Sequence, residues 1–197
     1  MILWTVQTPD AVAALHRNGR LVATSGEYER HFRSAYRWMG AQMHRRIGAA
    51  PQSSARPLWA WHTWQGQRGR PDLRRSGHLP RGSRGARVEF AADPRTFLLS
   101  DFSLWHYVLN YWYLPSSLSD GKAFEATLKA AGLDFFKTKP LPNASFHRII
   151  EASWERIFDP TLTVRGITDP RTKRTVQAAL WSLPLEAVRQ ITWFTAK

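Results

Sequence analysis

The first twenty residues combine a short apolar run with residues that typically start and end helices. Residues 2–7 are mostly β-branched, aromatic or apolar, which predicts a strand. Thr8, Pro9 and Asp10 follow, and a capping hydroxyl, a proline and an acid in this order are typical of a helix start. Gly19 suits the left-handed residue that ends a helix. The pattern predicts a strand, a helix and then a short strand at residues 20–23.

A second, longer helix is predicted by apolar residues that recur every three or four positions from Tyr28 to Ile47. Gly48 follows directly and can end it. The opposite face of this helix is basic and carries Arg30, Arg33, Arg37 and Arg45. We therefore expect one face in the core and one cationic face in solvent.

The rest of the chain predicts a mixture of short elements. Residues 57–64 place large side chains at alternate positions, as in a strand with one aromatic face. Residues 65–86 are rich in Gly and Arg without a hydrophobic period, which predicts a long loop. We expect further strands near 87–90, 96–100, 175–181 and 191–194, and helices near 101–111, 119–132 and 143–157. This order lacks the regular alternation of a doubly wound sheet. It predicts one α+β domain over residues 1–197, with small, mostly antiparallel sheets and about five helices.

The charge is concentrated in one segment. The 197 residues include 28 Lys and Arg against 15 acids, a net charge of +13. Residues 31–87 contain 12 Arg, no Lys and a single acid, Asp72, and so carry +11 of that total. A regional excess of this kind favours a surface that binds polyanions. The alternative is that the arginines only solvate the surface and reflect the base composition of the genome.

Several chemistries are excluded or disfavoured by what the sequence lacks. It contains no cysteine, which excludes disulfides, thiolate metal sites and a cysteine nucleophile. The histidines show no metal-binding spacing, so we expect no metal site. No glycine-rich phosphate motif and no nucleophile elbow occur. No apolar run is long enough to span a membrane, and nothing resembles a secretion signal, so we expect a cytoplasmic protein.

The predicted loop and the neighbouring tryptophans are candidates for binding nucleic acid. Guanidinium groups match phosphate oxygens, so phosphate contacts are predicted for Arg68, Arg70, Arg74 and Arg75. Asp72 is either a further polar group of the site or a partner for a neighbouring arginine. Trp59, Trp61 and Trp64 could stack on a base or a nicotinamide ring. The alternative is that two of the three pack in the core.

One candidate acid–base pair falls where a predicted strand meets a predicted helix. Asp101 could orient His106, five positions later, as a general base. The alternative is that Asp101 caps the helix and His106 is structural.

Five separated stretches resemble the signature blocks of a bacterial family of uncharacterised proteins, catalogued as a domain of unknown function. They lie at residues 57–61, 70–73, 99–110, 153–159 and 176–181. The resemblance covers nearly the whole chain and implies a single compact cytoplasmic domain. Its polar signature positions are Asp72, Asp101, His106, Asn110 and Gln177.

A second resemblance is to the ADP-ribosyltransferase superfamily. Residues 4–5 and 19–23 are similar to its opening, in which a short strand carries a polar residue that grips NAD. Residues 175–181 and 184–188 look like its closing unit, whose strand carries a catalytic glutamate. This chain has Thr5 where the family has His or Arg, and Gln177 near the place of the glutamate. An amide cannot serve as a carboxylate, so the resemblance implies that another acid, Glu89 or Asp101, supplies that role, or that the protein binds without this chemistry.

The leading hypothesis is an ADP-ribosyltransferase-like domain that binds NAD or a related nucleotide and modifies a nucleic acid or nucleotide. In it, the nucleotide pocket is formed by Thr5, Trp59 and Trp61, and the catalytic group comprises Asp101, His106 and Gln177. The alternative is a non-catalytic module that binds nucleic acid through arginine and tryptophan side chains, with an affinity that falls steeply with salt.

Overall fold

The fold is built on one six-stranded sheet with helices on both faces. A computed structural model describes residues 1–24, 31–74, 77, 79–134 and 141–197. The helices of these residues are α1 (Pro9–Asn18), α2 (Arg33–Ile47), α3 (Phe102–Leu109), α4 (Leu118–Ala130) and α5 (Ala144–Ser153). The strands are β1 (Ile2–Gln7), β2 (Arg20–Leu21), β3 (Leu58–Thr63), β4 (Arg84–Ala91), β5 (Phe97–Asp101), β6 (Val176–Leu180), β7 (Leu183–Pro184) and β8 (Val188–Thr195).

The strand order of the large sheet is β5-β6-β3-β1-β4-β8, and every neighbouring pair is antiparallel. Strands β2 and β7 form a separate antiparallel pair. The predicted α+β class and the mostly antiparallel sheet are therefore confirmed.

The joint between β1 and β3, at the centre of the large sheet, has a shorter register than the other joints. Strand β1 pairs with β4 at six successive positions, but its ladder with β3 registers only at Trp4 and Trp61. The ladder hydrogen bonds between β1 and β3 are therefore few, and side chains supply further links across this joint.

Two hydrophobic clusters lie on opposite faces of the sheet. One face packs against α1 through Leu3, Val12 and Leu15. The other packs against α2, α3, α4 and α5, with Met39, Leu104 and Ile150 among its fully buried residues. On this second face the helices lie over the β5-β6-β3 half.

Local sequence chemistry explains several element boundaries as predicted. Thr8 accepts a hydrogen bond from the Ala11 amide, and Gly19 adopts φ +68° after α1. Asn143 caps α5 by accepting from the Ser145 amide. The N-terminal part of the predicted second helix, with Tyr28 and Arg30, lies outside the described residues.

The predicted loop at 65–86 is shorter than expected. Strand β4 begins at Arg84 because residues 84–86 pair with residues 193–195 of β8, a partner that a local pattern does not reveal. The loop also begins with an ordered turn, in which Trp64 and Gln67 bond to each other's backbone. Gly66, at φ +78°, packs so closely on the Thr172 carbonyl that a Cβ would lie 2.0 Å from that oxygen.

The helix predicted to run through Tyr111 ends earlier. Asp101 caps the start of α3, as predicted, but the helix stops at Leu109. Tyr111 then takes φ +56°. This left-handed residue turns the chain away from the helix axis.

Candidate functional site

Asp101 is a structural residue at the junction of β5 and α3. Its Oδ1 accepts from the amides of Ser103 and Leu104, at 2.9 and 3.2 Å, and so caps the helix. Its Oδ2 lies 3.1 Å from Nε of Arg174, and only 4% of Asp101 and 6% of Arg174 are exposed. Both carboxylate oxygens are therefore engaged, which contradicts the prediction that Asp101 orients a catalytic histidine.

Arg174 uses the rest of its guanidinium to hold a loop. It donates to the carbonyls of Pro160, Leu162 and Asp169 at 2.7, 2.8 and 3.3 Å. Burial raises the pKa of Asp101, against the lowering effects of the Leu104 amide and the Arg174 charge. The pair joins the sheet, α3 and the 160–169 loop.

His106 does not lie against Asp101. It is exposed, and its Nδ1 lies 3.1 Å from the Phe102 carbonyl of the preceding helical turn. Asn110 donates its side-chain amide to the His106 carbonyl at 2.8 Å. The predicted acid–base pair is therefore wrong, because the carboxylate turns into the core and the imidazole into solvent.

Gln177 lies in a row of side chains that crosses all six strands of the large sheet on one face. The row follows from the register of the strand pairs and comprises Ser100, Gln177, Trp61, Trp4, Glu89 and Gln190. Gln177 is 4% exposed, and among the described residues its Nε2 has no hydrogen-bond partner. Trp61 packs beside it against Trp64 and Phe102, with ring centroids at 4.8 and 5.1 Å. Trp61 and Gln177 are therefore neighbours, but the Gln177 side chain is buried.

Thr5 is buried in the core, and Trp59 is partly buried against it. Thr5 is 1% exposed and donates its hydroxyl to the Trp59 carbonyl at 2.8 Å, which links β1 and β3 beside their short ladder. The Trp59 ring packs on Tyr36 and Trp105, with centroids at 6.4 and 4.9 Å. The alternative placement of tryptophan in the core is correct for Trp59.

Arg68 is a second link across the same joint. It donates to the His62 carbonyl of β3 at 2.7 Å and to the Ile2 carbonyl of β1 at 3.1 Å, and it stands 6.0 Å over the Trp4 ring. Burial lowers its pKa. Two of its donors therefore bridge two strands, and the predicted phosphate contact of this exposed side chain stays a prediction.

The neighbourhood of Arg68 makes stability depend on pH through His62. Burial and the Arg68 charge lower the pKa of His62 to about 4, from an ordinary 6.5. The folded state therefore favours the neutral ring, and this stabilisation is complete above pH 6.5 and lost as pH falls towards 4. Because the ring is half-buried and solvent screens it, we expect a loss of about 1–2 kcal/mol. Urea unfolding of wild type and His62→Gln at pH 7.5 and 4.5 measures it: the wild type should lose more stability, and an equal loss would contradict this account.

An arginine-lined cleft lies on the other half of the same sheet face. This Arg87 cleft has a volume of about 540 Å³ and is lined by Arg70, Pro71, Asp72, Leu73, Arg74, Arg87, Gln190 and Thr192. Arg87 is 8% exposed, and its hydrogen bond to a described residue goes to the Pro71 carbonyl, at 3.0 Å. Thr192 faces Arg87 across the β4–β8 ladder. Thr192 and Gln190 add a hydroxyl and an amide to the lining of the same cleft.

The cleft has an excess of positive charge. Arg74 binds both carboxylate oxygens of Asp72, with Nε–Oδ1 and Nη2–Oδ2 distances of 2.9 Å. Arg70 makes no ion pair with a described residue. Burial and the Arg70 charge lower the pKa of Arg87, against the raising effects of Glu89 and Asp72. Among the described residues, three guanidinium groups (Arg70, Arg74 and Arg87) face two carboxylates (Asp72 and Glu89), and this excess of positive charge attracts anions.

Glu89 stands next to Arg87 on the same face of β4. It accepts a hydrogen bond from the indole nitrogen of Trp4 at 2.9 Å, which fixes the orientation of the carboxylate. Glu89 is half-buried, and its register partner in β8 is Gln190, which lines the cleft.

The structure brings together four of the predicted polar residues, namely Arg70, Asp72, Arg74 and Glu89. Arg75 lies outside the described residues. The sequence did not single out Arg87, Gln190 or Thr192. Residues 87 and 89 share one face of β4, and residues 190 and 192 share the same face of β8. This alternation predicts the three residues only if the pairing of β4 with β8 is known.

Fold and cleft define an α+β domain with a six-stranded antiparallel sheet and an arginine-lined cleft on one face. The chain belongs to the family described as Domain of unknown function (DUF3841), whose model matches residues 2–189. The predicted resemblance to an uncharacterised family is confirmed. No curated protein and no solved structure matches the chain. The resemblance to ADP-ribosyltransferases stays a prediction.

Two other properties concern only the described part of the chain. None of its helices combines the length and apolar character needed to cross a membrane. Its His, Asp and Glu side chains form no group of three that could hold a metal ion.

Proposed function

We propose that the domain binds a nucleotide through its phosphates in the Arg87 cleft. The observation that carries this proposal is Arg87, a buried arginine that lines the cleft and makes one hydrogen bond to a described residue. A guanidinium group has five N–H donors, and a phosphate in the cleft would accept from those that remain. Arg70, Gln190 and Thr192 add a second cation, an amide and a hydroxyl, which are the groups that bind phosphate oxygens.

We further propose that this nucleotide is NAD or a related nucleotide, and that the domain acts as an ADP-ribosyltransferase-like enzyme on a nucleic acid or nucleotide. A cleft of about 540 Å³ is within the usual range for small-molecule sites and could hold a pyrophosphate with its ribose. Arg70 and Arg87 would hold the phosphates. When bound, NAD supplies the ADP-ribosyl group, released by cleavage of its bond to nicotinamide.

Glu89 is the residue that we propose for the carboxylate role. Gln177 cannot fill it, and Asp101 is engaged by Arg174. Glu89 carries a carboxylate on the same face as Arg87, and the Trp4 indole holds it in place. A fixed carboxylate beside the phosphate site could stabilise positive charge on the ribose during transfer.

Nicotinamide release from NAD tests the enzymatic part. We expect wild-type protein to release nicotinamide when RNA or DNA is present, and Glu89→Gln to lower the rate by about 10²-fold or more while keeping NAD affinity within a few-fold. The matched control is Glu186→Gln, because Glu186 is an exposed acid outside the cleft. Wild-type protein that binds NAD but releases no nicotinamide would contradict catalysis and leave binding intact.

The second candidate is a non-catalytic module that binds nucleotides or nucleic acid. It is favoured by the geometry of the predicted catalytic residues, since Asp101 is locked in an ion pair and Gln177 is closed off. It predicts ligand binding in the Arg87 cleft and no bond cleavage, so the nicotinamide assay separates the two candidates.

A further inference from the structure

A second cationic cleft lies along α2, and it shares no lining residue with the Arg87 cleft. This α2 cleft has a volume of about 590 Å³. It is lined by Arg33, Tyr36, Arg37, Gly40, His44, Ala50, Ser53, Ala55, Arg56, Pro57 and Trp181. Its walls are the helix, the 50–57 loop that leads into β3, and the residue that follows β6.

The helix supplies a stripe of cations. Arg33, Arg37, Gly40 and His44 are spaced by four, three and four residues, so they lie on one side of α2. No residue of α2 is acidic. Arg33 and Arg37 are exposed, and neither makes a hydrogen bond or ion pair with a described residue. In contrast, Arg45 and Arg46, on the same helix, both pair with Glu155.

The wall opposite the stripe is aromatic and fixed. The Trp181 indole donates to the Gly48 carbonyl at 2.9 Å, which sets the ring orientation. The edge of the indole lies close to Gly40 of the helix, at a distance where a Cβ would be in ordinary van der Waals contact, 3.8 Å. The cleft therefore combines an oriented aromatic ring with the guanidinium groups of Arg33 and Arg37, which make no hydrogen bond or ion pair with a described residue.

This combination matches the chemistry of a single nucleic-acid strand. Arginines follow the phosphates, and bases stack on aromatic rings without regard to sequence. A duplex would offer phosphates but no free base for Trp181. Helix α2 also packs, through Tyr36 on Trp59, on the face of the sheet from which Arg87 projects.

We propose that the α2 cleft binds a single-stranded nucleic acid, with Arg33 and Arg37 on its phosphates and Trp181 against a base. This inference rests on the proposed function and extends it. A single strand bound on this face of the sheet would be the acceptor of the ADP-ribosyl group from the nucleotide in the Arg87 cleft. The α2 cleft consists of other residues than the Arg87 cleft, so binding of the strand can be tested independently of nucleotide binding at Arg87.

The test is the fluorescence anisotropy of a labelled twelve-nucleotide oligothymidine at several salt concentrations. The double variant Arg33→Gln/Arg37→Gln should weaken binding at least tenfold. It should also reduce the slope of log K against log salt by about one to one and a half, because two phosphate contacts are lost. The matched control Arg17→Gln/Arg20→Gln removes the same charge from exposed positions outside both clefts and should stay within twofold of wild type.

Three results would overturn the proposal. They are absence of oligonucleotide binding by wild type at low salt, an equal loss in the control variant, and equal affinities for thymidine monophosphate and the oligonucleotide. A loss of oligonucleotide binding in Arg87→Met with none in Arg33→Gln/Arg37→Gln would also overturn the proposal and assign the strand to the Arg87 cleft.

Discussion

Replacing Asp101 by Ala is expected to lower the free energy of unfolding by about 3–5 kcal/mol, because it leaves the Arg174 charge buried without its partner. The substitution also removes the cap that Asp101 gives to the first turn of α3. Arg174→Met should have a similar effect, since it leaves the carboxylate buried and releases the three carbonyls of the 160–169 loop.

Urea unfolding followed by tryptophan fluorescence measures both variants. Asp93→Ala is the matched control, because Asp93 also caps a short helix and pairs with an arginine, Arg95, but does so in solvent. We expect its effect to be clearly smaller. If Asp101→Ala and Arg174→Met lower the free energy of unfolding no more than Asp93→Ala does, the buried Asp101–Arg174 pair does not hold the sheet, α3 and the 160–169 loop together.

The second large effect is expected on ligand binding. Arg87→Met should weaken the binding of ADP-ribose by about 10²-fold or more, because charge-assisted hydrogen bonds to a phosphate contribute about 1.5–3 kcal/mol each. Methionine keeps an unbranched side chain in the strand and removes the buried charge. We therefore expect little loss of stability, which thermal unfolding without ligand would check.

Arg84→Met is the control for this experiment. Arg84 lies three residues earlier in β4, on the opposite face of the sheet, where it stands 4.8 Å over the Trp193 ring. Its replacement removes the same charge without touching the cleft. Equal losses of ADP-ribose affinity in the two variants would mean that net charge, and not the Arg87 cleft, attracts the ligand.

The elements that depend on neighbouring residues could be predicted from the sequence. Thr8, Gly19 and Asp101 act on the backbone within a few positions of themselves, so their residue types alone mark the ends of α1 and the start of α3. The start of β4 could not be predicted in the same way. It depends on pairing with β8, about 110 positions later along the chain.

The candidate site was predictable as a region but not residue by residue. The concentration of arginine between residues 31 and 87 does correspond to both clefts. Individual roles depend on distant partners, as for Arg68, whose bond to Ile2 spans 66 positions. Proximity in sequence favours His106 as the partner of Asp101, whereas its actual partner, Arg174, is 73 positions away.

A crystal structure of the protein with ADP-ribose tests the central claim most directly. ADP-ribose carries both phosphates and the ribose but no nicotinamide, so it probes binding without turnover. We expect phosphate oxygens within hydrogen-bond distance of the guanidinium groups of Arg87 and Arg70, between Gln190 and Thr192. Phosphates bound elsewhere, in the α2 cleft or on another surface, or an empty Arg87 cleft at saturating ADP-ribose, would contradict it.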